Sequence, residues 1–120
     1  MRDTLQPGIK AESRHVVTPD MSPAHLPRVV LSTPSMIQLI EQTCLAAATE
    51  HLDEGETTVG THVCVSHKAA ALEGEEVVVR CQLDRLDRRR LTFDVEVEGV
   101  RGLLSDGTHE RAVVQLDRMG

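Results

Sequence analysis

At 120 residues the chain is sized for one domain with a real core, and 40% hydrophobic with 27% charged residues is an ordinary globular composition. A net charge of −6 argues against a general nucleic-acid binder, and a single aromatic residue, Phe93, leaves little on which bases could stack. No apolar run reaches the roughly 18 residues of a membrane span, and "MRDTLQPGIKAES" lacks the apolar stretch of a signal peptide. The core must therefore be built from Val, Leu, Ile, Ala and Met.

In chain order, Ile9–Val17 is β-prone and predicts a first strand, followed by an irregular segment with Pro19, Pro23 and Pro27 up to Ser32. "TPSMIQLIEQTCLAAATEHL" predicts one long helix from Thr33 to about Leu52. Thr33 is the expected N-cap with Pro34 at the first helical position, and Ser35 with Gln38 offers a capping box one frame later. "DEGE" breaks the helix.

After Gly55 the chain reads as strands. "TVGTHVCVSH" alternates, which places Val59, Thr61, Val63, Val65 and His67 on one face and Gly60, His62, Cys64 and Ser66 on the other. "EVVVRCQLDRL" places Val77, Val79, Cys81 and Leu83 together, "LTFDVEVEGV" turns Leu91, Phe93, Val95 and Val97 inward, and "THERAVVQL" closes the set. The connections "LEGE", "DRRR" and "SDG" are short enough for an antiparallel meander. A strand, a long helix and four strands predict a single α+β domain over residues 1–120, with one helix wrapped by an antiparallel β-sheet: the hotdog arrangement. Cys44, Cys64 and Cys81, odd in number and without CxxC pairing, read as reduced core residues of a cytoplasmic protein.

Glu41 is the residue that packing does not explain. It is the one charged side chain between Met36 and Ala48, and its neighbours at helical spacing are Ile37, Cys44, Leu45 and Ala48. A carboxylate turned toward a core costs several kcal/mol unless paired, hydrogen-bonded or protonated. A wet helix edge or a structural arginine partner would explain it equally. His67 ends a strand on the face that looks at the helix, and a carboxylate facing an imidazole is the pair that acid–base chemistry requires. Thr33, sufficient as a cap, also stands where a helix start collects N–H groups around negative charge.

Other signals are weak. His62 and His67 are expected on opposite faces, no Cys/His cluster suggests a metal, and no phosphate- or dinucleotide-binding glycine loop suggests a cofactor. "GLLSDG" is not a nucleophile elbow, and "DRRR" is by default a solvated turn.

"STPSMIQLIE", "VGTHVCVSHKAAA" and "GTHERAVVQL" resemble the fluoroacetyl-CoA thioesterase group of hotdog-fold enzymes, from about Thr33 to Leu116. The resemblance implies hydrolysis of an acyl-CoA to free acid and CoA, with Thr33, Glu41 and His67 matching the family's catalytic group. Gly60 matches its substrate-contacting glycine and Arg111 the arginine of its HERAV motif. It implies an active site between two subunits, and a lone sheet with uncovered edges also predicts a homodimer or dimer of dimers. Whether Glu41 attacks the thioester or activates water stays open. The family's fluorine-selective lid is phenylalanine-rich, whereas "DMSPAHLPRVVLS" contains no Phe, so broader selectivity over short-chain acyl-CoA is expected. The alternatives are a non-catalytic acyl-CoA-binding or sensing module and, third, a hotdog hydratase, whose local Asp/His motif is not seen.

Overall fold

The structure, a computed structural model, describes residues 1–119. The elements run β1 (Lys10–Val16), a short 3-10 turn (Pro19–Met21), α1 (Thr33–Thr49), β2 (Glu56–Val65), β3 (Glu76–Asp87), β4 (Arg90–Gly99), β5 (Gly102–Gln115) and a second 3-10 turn (Leu116–Arg118). All five strands form one antiparallel sheet in the order β1-β3-β4-β5-β2. It curls around α1, as expected for one helix wrapped by an antiparallel sheet.

The core follows from alternation. Val77, Val79, Cys81 and Leu83 on β3 and Leu91, Phe93, Val95 and Val97 on β4 are all buried, against Met36, Ile40, Cys44 and Ala48 of α1. Phe93 is completely buried at the centre, its one large ring filling space that aliphatic side chains fill elsewhere. On the outer face Arg80 gathers Glu12, Glu98 and Glu96 at 2.9, 3.1 and 3.6 Å, a cross-strand charge row typical of a solvated sheet face.

Four expectations are corrected. The helix N-cap is Ser32, whose side chain accepts from the Ser35 N–H at 3.1 Å; Thr33 is the first helical residue and Ser35 lies inside the helix, not at a cap. The helix ends at Thr49 rather than Leu52. The meander comprises β3, β4 and β5 only, because β2 pairs with β5 and the connection 66–75 crosses to the far side of the sheet. That crossing is pinned by Leu31 N–H to Ala71 O and Glu73 N–H to Val29 O, which also orders the proline-rich segment.

The fourth correction concerns β2. Gly60 pairs with Arg111 but His62 with Glu110, which leaves Thr61 as an extra, bulged residue. Thr58 and Gly60 face the helix before the bulge, and Val63 and Val65 after it. Val59, opposite Ala112, therefore belongs to the outer face, contrary to simple alternation. Cys64 is likewise exposed, while Cys44 and Cys81 are buried as expected. The last two thiols interact across α1 and β3, and this contact together with burial pushes the Cys44 thiol well above its ordinary range.

Candidate active site

The expected residues form two groups along α1. At the helix start, Thr33 Oγ1 lies 2.6 Å from His67 Nδ1, so the histidine does turn toward the helix, although β2 ends at Val65 and His67 lies in the loop beyond it rather than at the strand end. Both residues are exposed. Ser32 does the capping, which frees the Thr33 hydroxyl for this bond. Eight residues on, about 12 Å along the axis at ~1.5 Å per residue, Glu41 meets the sheet at Gly60, His109 and Arg111.

Glu41 is not buried as its neighbours suggested: its side chain is 43% exposed, while the guanidinium it faces is 5% exposed, with Arg111 Nη1 3.8 Å from Glu41 Oε2. The reason is the missing side chain opposite. A Cβ on Gly60 would stand 3.2 Å from Glu41 Oε2, 3.3 Å from His109 Cε1 and 3.4 Å from Arg111 Nη1, so glycine leaves the room into which the carboxylate reaches. Glu41 and His67 of the same chain form no ion pair or hydrogen bond among the described residues.

Arg111 is held rigidly. Its Nε donates to Thr58 Oγ1 at 2.7 Å, Nη2 to the Thr58 carbonyl at 2.9 Å, and Nη1 lies 3.1 Å from His109 Nε2. Burial pulls the guanidinium below its ordinary value and Glu41 opposes that pull. A cation taken out of water this far is tolerated only with its hydrogen bonds satisfied and a countercharge near. The arrangement can present a carboxylate, accessible yet oriented by a fixed cation, to a bound electrophile.

Two residues went unnoticed in sequence: His109, wholly buried, and Thr58, 4% exposed. The signal was present in "THERAV", where positions 109, 111 and 113 share a strand face, so a histidine and an arginine there precede inward-facing Val113 on the same face. Gly107 belongs to the same stretch, and a Cβ on it would collide with the Cys64 carbonyl, so β2 and β5 can approach only with glycine there. The expected opposition of His62 and His67 holds in that His62 faces outward, 3.4 Å from Glu110. No metal-binding cluster occurs among the described residues. An open groove of about 730 Å³ over Glu12, Arg80, Gln82, Asp94 and Glu96 holds none of the expected site residues.

The described chain matches the family described as fluoroacetyl-CoA-specific thioesterase over residues 12–117. It is 33% identical over 127 residues to the fluoroacetyl-CoA thioesterase of Streptantibioticus cattleyicolor, covering 98% of this chain and 91% of that protein. A solved structure of a fluoroacetyl-CoA thioesterase superposes with a TM-score of 0.91 at 32% identity, covering 97% of this chain and 93% of the other. A variant of that enzyme solved with fluoroacetate and CoA gives a TM-score of 0.91 at 31% identity, covering 97% and 100%. The wrapped helix is thus the hotdog fold, and the chain belongs to the fluoroacetyl-CoA-specific thioesterase family.

Proposed function

We propose that the protein is an acyl-CoA thioesterase that hydrolyses a short-chain acyl-CoA to the free acid and CoA, with Thr33, Glu41 and His67 as its catalytic group. The observation that carries the residue assignment is the exposed Glu41 carboxylate set against buried Arg111 and the gap above Gly60. A purely structural ion pair has no need of that gap. Glu41 either attacks the thioester carbonyl or takes a proton from water. His67, oriented by Thr33, then delivers a proton to the departing CoA sulfur. Gly60 and Arg111 line the acyl end as substrate-binding residues.

Separation of the two groups within one chain supports a homodimer, or a dimer of dimers, in which the His67–Thr33 pair of one subunit approaches Glu41 of the other. β2, at the edge of the sheet and carrying Gly60, offers the free backbone edge for that pairing. Unbridged Cys44 and Cys81 and exposed Cys64 support a reducing, cytoplasmic setting. Among the described residues no helix is long and apolar enough to cross a membrane.

The test is Glu41→Gln, which keeps size and hydrogen-bonding capacity but removes the reacting group. Release of free thiol from acyl-CoA is expected to fall by about 10² to 10⁴ in kcat, the range of general acid–base catalysis. His67→Ala is expected to lose comparably, and the double variant little more. Near-wild-type turnover in a folded Glu41→Gln protein overturns the assignment. Binding of acyl-CoA without thiol release by the wild-type protein would favour a sensing module instead.

A further inference from the structure

We infer that His109 is a positioning residue that aims Arg111 at the Glu41 carboxylate without itself neutralising the arginine's charge. The inference rests on the reading of Glu41 as the reacting group, and it concerns a histidine that reading does not use.

Both ring nitrogens of His109 are committed. Nδ1 is 2.8 Å from the His62 carbonyl and Nε2 is 3.1 Å from Arg111 Nη1. A carbonyl can only accept and a guanidinium can only donate. The ring therefore donates from Nδ1 and accepts at Nε2, which defines one neutral tautomer. A second proton would set N–H against N–H and cation against cation in a fully buried site. Burial, the first cause, and Arg111 both hold His109 below the ordinary histidine value of 6.5, consistent with that geometry.

The consequence falls on Arg111. With Nε and Nη2 tied to Thr58 and one Nη1 hydrogen taken by His109, the guanidinium plane cannot turn, and the second Nη1 hydrogen remains for Glu41 Oε2. A carboxylate in the place of His109 would hold Arg111 as firmly but would neutralise it. A neutral acceptor fixes direction and leaves the positive charge for Glu41 and for negative charge developing on the substrate. The other end of the ring grips the His62 carbonyl beside the Thr61 bulge, so the same residue sets the bulge and the arginine together.

The test combines kinetics with nitrogen NMR of the histidine rings. His109→Leu is expected to lower kcat for thiol release by about 10- to 10²-fold, the scale of a misplaced catalytic group, with KM changed less than about threefold. His109→Gln, which restores a neutral acceptor, is expected to recover most of that loss. In an Arg111→Gln background, adding His109→Leu should cost no further factor, since the histidine acts through the arginine. A full additional loss there, or wild-type kcat in His109→Leu, overturns the proposal. Should the leucine variant fold poorly, the wild-type spectrum decides. His109 must show the Nδ1–H tautomer at neutral pH, and a protonated or Nε2–H ring there refutes it. The tautomer does not depend on catalysis, so an active Glu41→Gln enzyme would sink the functional reading while leaving this result standing.

Discussion

Gly60→Ala tests the site's geometry with the smallest possible change. The added methyl group would lie 3.2 Å from Glu41 Oε2, 3.3 Å from His109 Cε1 and 3.4 Å from Arg111 Nη1. Comfortable contact for such atoms is about 3.5–4.0 Å, so something must yield by a few tenths of an ångström. His109 and Arg111 are held by their hydrogen bonds, which leaves the half-exposed Glu41 side chain to move. Gly60 is not among the positive-φ residues, so alanine fits its backbone. Restricting the unfolded chain then contributes about 0.4–1 kcal/mol of stability, offsetting much of the crowding. The expected outcome is a melting temperature within a few degrees of wild type and a kcat lower by about 10- to 10²-fold, because small misplacements of a reacting group are costly. Thermal melts and thiol-release kinetics on the same preparation measure both. An alanine variant with unchanged kcat would show that the space above Gly60 does not serve the reaction.

Capping and chemistry at the helix start should separate cleanly. Ser32→Ala should cost about 1 kcal/mol of stability in denaturant unfolding and little activity, whereas Thr33→Ala should lose activity with stability almost unchanged. The segment before the helix, residues 20–32, contains no Phe, Tyr or Trp ring to sense a C–F bond. Preference for fluoroacetyl-CoA over acetyl-CoA in kcat/KM should therefore stay under about tenfold, or roughly 1.4 kcal/mol. Stability should fall as pH drops below 6.5, because the unfolded chain takes up a proton at His109 that the folded chain refuses. The charges that act on His109 are Arg111 and, from the outer face of its own strand, Glu110, with Glu41 on α1, and Nδ1 bonds the His62 carbonyl on β2. The contribution is absent well above pH 6.5, amounts to at most about 1.4 kcal/mol per pH unit below it, and levels off beneath the folded value. Melts from pH 7.5 to 5 should be flatter in His109→Gln than in wild type; identical slopes would exclude His109 as the source.

Most of the fold was legible because the irregularities of β3 and β4 lie beyond Leu83 and Val97, so Val79 to Leu83 and Leu91 to Val97 declare their inner face by alternation. The helix was legible from its apolar spacing, though its cap was displaced by one residue: Ser32 and Thr33 have equal capping chemistry, and only the backbone, extended at Ser32, decides between them. Glu41 was conspicuous by charge alone, but its exposure was not, since that depends on Gly60 from a strand 19 positions away. His109 hid for a related reason. A buried histidine is recognised by both of its partners, and His62 O is a backbone atom that no sequence pattern displays. The order that puts β2 beside β5 rather than β3 was also invisible, because a ten-residue connection permits either neighbour.

The bulge at Thr61 gives β2 two reading frames. Gly60 and Val63 are an odd number of positions apart, and an unbroken strand would send them to opposite sides of the sheet. One supernumerary residue joins two half-strands of opposite parity, so the glycine that makes room for Glu41 and the run leading to His67 both look at the helix. Chain length at this point thus carries information that residue identity does not. Drawing Thr61 into regular pairing would alter no group assigned to chemistry, yet it would turn one half of the strand over and split the site.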